Sequence, residues 1–345
     1  MAETLYIWTV IGVLIAALAF LPSIMGIFGG NKFNVTGKTI LLTGASEGMG
    51  KSCAKQLAAK GANLIIVSRS VAKLEAALQE IKASAANPSI QRFHYISADV
   101  STTDGAASVV KQASIWNNGQ SPDIVWCIAG SSYPALFIET PTTKMRQQMD
   151  VNYWSCVDMA HAILSEWLAP SAEKTERHLI FTSSVTAFYP IAGYAPYAPA
   201  KAAIKSLSDT LAQEVQLYGD HVKIHTIFPG TILSPGLENE NKTKPGVTFI
   251  LEESDPEQTP DEVAKKSIAG LEQGEYLITV GLLGAAMRAC AWGGSARNNW
   301  ITDTAMTWVV SIAWGFIGRD LDGKVRSYAK THGHPSTYEK KTSEA

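Results

Sequence analysis

The sequence predicts an α/β fold built on a single doubly wound parallel sheet. Two observations carry this: short apolar runs alternate with segments of helical spacing, and a glycine-rich turn joins the first run to the first helical segment. The strand-like runs are Thr39–Thr43, 63–67, 92–97, 123–128, 178–182 and Val222–Phe228. Such runs read as strands buried on both faces, which a parallel sheet covered by helices provides. Between them, 50–60, Val71–Ala83, Thr103–Trp116, 144–168 and 197–217 have helix-like spacing and composition. Residues 87–89 and 171–176 read as turns. Segment 238–258 is long, charged and punctuated by proline, and is expected to form a mobile lid beside the site.

Composition narrows the function. Apolar residues make up 46% and charged residues 17% of 345, which is apolar for a soluble enzyme and suggests membrane contact. A net charge of -2 gives no reason to expect nucleic acid. Cys53, Cys127, Cys156 and Cys290 are scattered without metal spacing, and no H-E-x-x-H occurs, so no metal is expected.

Residues 5–28 carry no charged side chain. As a helix, this stretch would reach roughly 36 Å, enough for a hydrocarbon core of about 30 Å. It is read as a membrane anchor within 1–30, kinked near Pro22. A cleaved signal peptide competes, but Met-Ala-Glu offers no basic start. Glu3 precedes the run while Lys32 and Lys38 follow it, which places the main domain in the cytoplasm. Two later apolar stretches, 276–287 and 304–318, suit either an interfacial hairpin or a core strand followed by an oligomer-interface helix. The expected organisation is an anchor at 1–30, a nucleotide-binding domain at 37–281, an apolar segment at 282–320 able to meet a membrane, and a basic flexible tail at 321–345.

The turn Thr43-Gly44-Ala45-Ser46-Glu47-Gly48-Met49-Gly50 lets the backbone approach a pyrophosphate resting on a helix N-terminus. Residues 45–52 also approximate a P-loop, with Lys51 and Ser52 in place but Ala45 at the first glycine. That reading implies a nucleotide hydrolase, with Asp99 as a metal-binding carboxylate, and leaves the chemistry of residues 184–201 without a role. In the dinucleotide reading Asp99 faces adenine. The second strand ends in Ser68-Arg69 rather than an acidic residue, which suits the 2′-phosphate of NADP better than the 2′-hydroxyl of NAD.

Residues 184–201 place Ser184 thirteen positions before Tyr197 and Lys201 four after it. One helical turn puts Tyr197 and Lys201 on one face. An ammonium beside a phenol is expected to lower its pKa, making Tyr197 a usable acid or base, with Ser184 hydrogen-bonding the same reacting oxygen. Tyr194 is a competing acid, but Ala198 stands where its lysine would be.

Together, Thr43 to Gly50, Cys127-Ile128-Ala129-Gly130, Asn152, Ser184 and Tyr197-x-x-x-Lys201 occur in the order of the short-chain dehydrogenase/reductase family, which the chain resembles from about 37 to 236. The resemblance implies a single Rossmann-type domain with a seven-stranded sheet. It implies a tetrad of Asn152, Ser184, Tyr197 and Lys201. Tyr197 would be the general acid, Ser184 would polarise the carbonyl, and Lys201 would tune the tyrosine and hold the nicotinamide ribose. Asn152 would keep a helix open so that water links Lys201 to solvent. The implied NADPH contacts are Gly44, Ser46, Glu47, Gly48, Met49, Gly50, Ser68, Arg69, Lys73, Asp99, Val100, Ala129, Gly130, Tyr197, Lys201, Pro229, Gly230 and Ile232. Two departures stand out: Cys127-Ile128 replaces the family's Asn-Asn, and Pro199-Ala200 replaces Ala-Ser. The stretch 236–245 resembles the substrate-loop signature of 3-ketodihydrosphingosine reductases, differing at Leu237 and Asn239. That resemblance implies a long-chain sphingoid ketone as substrate, an endoplasmic reticulum membrane with the domain facing the cytosol, and a homodimer or homotetramer. A reductase of steroids, retinoids or other lipid carbonyls, or a non-catalytic lipid-binding member, are the alternatives.

Overall fold

The computed structural model describes residues 30–291 and 297–332. Seven strands form one sheet: β1 (Thr39–Thr43), β2 (Asn63–Ser68), β3 (Phe93–Ser97), β4 (Ile124–Cys127), β5 (Arg177–Thr182), β6 (Val222–Phe228) and β7 (Leu277–Thr279). Their order is β3-β2-β1-β4-β5-β6-β7, and every neighbouring pair is parallel. The order reverses between β1 and β4, which opens a crevice at their carboxyl ends.

Alternation along the strands builds two cores. Ile40 and Leu42 of β1, with Ile66 and Trp126, pack against Cys53 and Leu57 of α1 (Gly48–Ala59) and Ile268 and Leu271 of α9 (Pro260–Gln273). Leu41, Ile65, Val125 and Phe181 point the other way. They meet Val109 of α3 (Thr103–Trp116) and Met159, Ile163 and Trp167 of α5 (Ser155–Trp167). Both faces of the central strands are therefore dry, which is why those runs lack a polar face. The edge strand β3 is partly exposed and α2 (Val71–Ala83) covers one of its faces.

The expected helix at 144–168 contains a wider turn. α4 (Thr142–Met149) passes through a π-turn at Asp150–Trp154 before α5 begins. The helix expected at 197–217 is α6 (Ala198–Glu214) followed by a 3-10 turn. Segment 238–258, expected as a lid, is folded into α7 (Pro235–Asn241) and α8 (Gly246–Glu252). Its two ends meet at a bridge: Leu233 N donates to Gln258 O (2.9 Å) and Gln258 N to Thr231 O (3.1 Å).

The late apolar stretches are β7 followed by α10 (Leu282–Cys290), and part of the long α11 (Trp300–His332), so the first begins as a strand of the sheet. α10 and α11 pack on each other through Ala289, Met306 and Val310. The chain expected to be a flexible tail from 321 is helical to His332, because α11 continues through it; residues 333–345 lie outside the described residues. Among the described residues, no helix is long and apolar enough to cross a membrane. The anchor expected at 1–30 falls outside the described residues except for Gly30.

Candidate active site

A cavity of about 990 Å³ opens at the carboxyl ends of β1, β4, β5 and β6. One end is the glycine turn. No side chain caps the N-terminus of α1, so its first-turn amides face the cavity, where Gly44, Ser46, Glu47, Gly48, Met49 and Gly50 line the wall. A Cβ on Gly50 would overlap the Gly44 carbonyl oxygen, so this turn closes tightly only with glycine. Ser68, Arg69, Asp99 and Val100 continue the same wall, with Arg69 Nη1 3.9 Å from Asp99 Oδ2. Two hydrogen bonds from Ser101 anchor Asp99 and hold its carboxyl below the usual range, helped by Arg69. Lys73 does not reach the cavity wall; its ammonium pairs with Glu47 at 2.7 Å. The P-loop alternative fails on geometry. Lys51 turns away to Glu80 (2.8 Å) and Ser52 is buried under the helix.

The wall continues through Ala129, Gly130, Pro229, Gly230 and Ile232. Cys127-Ile128 loses the family's side-chain amides without losing the turn, because Ile128 N and Ala129 N both donate to Thr43 Oγ1 (3.1 and 3.2 Å).

Ser184, Tyr197 and Lys201 converge at the far end. Ser184 lies two residues beyond β5, where Val185 N donates to Pro229 O (3.0 Å), tying the turn to the end of β6. Pro199 sits in the first turn of α6, where its missing N–H has no cost. The Lys201 ammonium donates to the Thr182 carbonyl oxygen (3.0 Å) and lies 5.5 Å from the Tyr197 ring centroid. Burial pushes its pKa down to about 8, opposed by Cys156. The expected lowering of the tyrosine pKa is not what the structure gives. Burial and then the charge of Glu240 raise Tyr197 above its ordinary value, and only the hydrogen bond from Ser184 opposes them. Burial dominates the phenol, while the Lys201 ammonium donates to Thr182 and faces the ring. Tyr197 therefore keeps its proton through the neutral range, the state a proton donor requires.

Asn152 is fully buried in the π-turn, behind the cavity wall. Its Nδ2 donates to Ser131 O (2.8 Å) and Gln148 O (2.9 Å), and its Oδ1 accepts from Ser131 N (3.2 Å). A Cβ on Gly130 would come 2.7 Å from Asn152 Oδ1 and 3.3 Å from Lys201 Nζ, so glycine there lets the two side chains approach one strip of backbone.

The family model for short chain dehydrogenase matches residues 38–245. The chain belongs to this family of nicotinamide-dependent oxidoreductases. It is 49% identical over 338 residues to a 3-ketodihydrosphingosine reductase of Neurospora crassa, covering 96% of this chain and 93% of that protein. A 3-ketodihydrosphingosine reductase of Aspergillus fumigatus is 48% identical over 328 residues, covering 90% and 89%. Among solved structures, the short-chain dehydrogenase from Sphingobium yanoikuyae in complex with NADPH gives a TM-score of 0.62 at 19% identity, over 74% of this chain and 93% of that one. L-sorbose reductase from Gluconobacter frateurii, complexed with NADPH and L-sorbose, gives 0.61 at 24%, over 73% and 98%. Those two likenesses show the fold. The glycine cradle, the uncapped α1 and the open face at Gly230, where a Cβ would meet nothing within 4 Å, fit the family's cofactor.

Sequence reasoning missed two parts of the cavity. Leu283 and Met287 of α10 and Trp314, Ile317 and Leu321 of α11 wall it from more than eighty residues beyond Tyr197. Facing Tyr197, the Tyr194 hydroxyl lies within hydrogen-bond reach of both Glu240 and Glu252 (2.6 Å to the latter) and shares its one proton between them, and Lys244 bridges the two carboxylates (3.3 and 2.7 Å). This removes Tyr194 as the acid, since its one proton is already engaged by the carboxylates. The i,i+4 spacing of Glu240 and Lys244 was the available signal.

Proposed function

We propose that the protein reduces 3-ketodihydrosphingosine to dihydrosphingosine (sphinganine) with NADPH. The observation that carries this reading is the run of apolar side chains, Leu283, Met287, Trp314, Ile317 and Leu321, that α10 and α11 add to the cavity holding Ser184 and Tyr197. A small polar ketone has no use for such a wall, whereas one long alkyl chain would be buried along it, at about 0.8 kcal/mol per methylene. The identity to two relatives named for this reaction supports it. Ser184 would donate a hydrogen bond to the ketone oxygen, and Tyr197 would deliver its phenolic proton to that oxygen. Lys201 would hold the ribose side of the cofactor, with Asn152 positioning the strip between them. The bound cofactor supplies the hydride. Arg69, exposed at the cavity rim, would take the 2′-phosphate and so select NADPH.

The reading extends to an anchor at 1–30 that holds a domain at 37–281 on the cytosolic face of the endoplasmic reticulum. Segment 282–320 would lie towards the membrane, followed by the basic tail at 321–345, and pairing through α6 would give a dimer or tetramer. The experiment is NADPH oxidation by purified protein offered 3-ketosphinganine beside steroid and retinal panels. Turnover of the sphingoid ketone is expected; activity confined to the other panels sinks the assignment. Glycosylation of both Asn34 and Asn241 in microsomes would place the domain in the lumen and overturn the cytosolic reading.

A further inference from the structure

The polar group opposite Tyr197 has no role in hydride or proton transfer, yet it is built into the cavity. Glu240 and Glu252 line it, each with only about 15% of its side chain exposed (16% and 15%), and Lys244 sits behind them at 3%. Asp255 lines the same wall and has no side-chain partner among the described residues; burial and Glu252 raise its pKa to about 6. Three carboxyls thus share one ammonium that does not itself reach the cavity. Buried charge is ordinarily matched, so the excess negative charge calls for a cation from the cavity side. It lies close to the reacting centre: the Tyr194 and Tyr197 rings are 5.9 Å apart, and the Glu240 charge is felt by the Tyr197 phenol. Independently, the hydroxyl oxygens of Ser132 and Thr186, both on the cavity wall, are buried without any hydrogen-bond partner.

We infer that Glu240 and Glu252 are specificity-determining residues that receive an ammonium group on the carbon next to the reacting ketone, with Ser132 or Thr186 taking the neighbouring hydroxyl. The inference rests on the sphingoid reading above, whose substrate carries those two groups. Tyr194 and Lys244 are positioning residues: they hold the two carboxylates side by side, across two separate helices, so that both face one cation. A neutral ketone of the same length gains nothing from this wall and must leave the excess charge unmatched.

The test compares 3-ketosphinganine with its N-acetyl derivative, which keeps the chain, ketone and hydroxyl but loses the charge. Wild-type protein is expected to prefer the amine by about tenfold or more in kcat/KM, the worth of one charge-assisted hydrogen bond. In Glu252→Gln, and separately in Glu240→Gln, that preference is expected to fall to about one, chiefly through KM for the amine. NADPH binding, followed by its fluorescence, confirms that each variant is folded. A parallel loss on both substrates, leaving the preference intact, would mean that the carboxylates only hold the wall together, and would overturn the inference while the sphingoid assignment stands. A wild-type protein that turns over the amine no faster than the amide overturns it as well. Failure of wild type to reduce either sphingoid ketone is a separate result that removes the proposed function and the inference with it.

Discussion

Replacing Gly50 with alanine tests the cofactor cradle at its tightest point. The new Cβ would lie 2.8 Å from Ala45 Cα and overlap the Gly44 carbonyl oxygen, which is backbone on both counts and cannot rotate aside. Relief requires the 44–50 turn to open away from α1. Overpacking a rigid contact costs about 1–3 kcal/mol, and an all-backbone clash belongs at the upper end, about 3 kcal/mol. For a domain of this size that corresponds to a Tm lower by roughly 6–12 °C. Opening the turn also displaces the α1 amides, so NADPH affinity should fall at least about tenfold. Gly48→Ala is the matched control. Its nearest neighbour would be Ser234 Cβ at 3.6 Å, but its φ of +55° costs an alanine about 1 kcal/mol. Differential scanning fluorimetry and fluorescence titration give both quantities. A Gly50→Ala protein that melts with wild type and binds NADPH equally well would refute the steric argument, as would a Gly48→Ala protein harmed more than Gly50→Ala.

Tyr197→Phe removes the donated proton and should lower ketone reduction by about 10²–10⁴-fold with NADPH binding intact; retained turnover would exclude Tyr197 as the acid. Arg69→Ala should raise KM for NADPH roughly 10–100-fold and leave NADH unchanged, so an equal effect on both cofactors refutes the 2′-phosphate role. Acid stability should be governed by the buried pair His178–His225, whose rings meet at 3.0 Å between β5 and β6. Burial, then His178, pushes the His225 pKa from 6.5 down to about 3, so between those values the unfolded chain holds the extra proton. The contribution of that ring then falls as pH drops from about 6.5 towards 3, by about 1.4 kcal/mol per pH unit, and is constant above about 7. Urea unfolding at several pH values reads the slope, and His225→Gln should flatten it; an unchanged slope sinks the assignment.

The central strands and the catalytic triplet were legible because local signals and tertiary fate agree there. β1 and the centre of β2 are apolar runs buried on both faces, and Tyr197 and Lys201 are one helical turn apart. The rest depended on what the sequence does not carry locally. β7 is three residues long, within a stretch apolar enough to suit a membrane, and it becomes a strand only by pairing with β6. At Asp150–Trp154 only the family resemblance, through Asn152, points to an opened helix; local spacing does not, because the π-turn is held by Asn152 reaching Ser131, a loop twenty-one residues away. Spacing fixes which face Lys201 shares with Tyr197, but not how deeply the phenol is buried or that the ammonium also donates to Thr182.

The bridge between Ile232 and Gln258 gives the 233–257 segment a neck, and the Gln258 side chain pins that neck to the sheet through the Val280 carbonyl (3.0 Å). A loop whose ends are already joined can change in length at little entropic expense, since closure entropy grows only with the logarithm of length. The carboxylates inferred to meet the head group, Glu240 and Glu252, hang beyond that neck with Lys244 and Asp255, whereas Ser132, Thr186 and Tyr194 do not. The hydride machinery lies wholly on the other side. The neck thus lets the 233–257 segment change in length without disturbing the sheet beneath it.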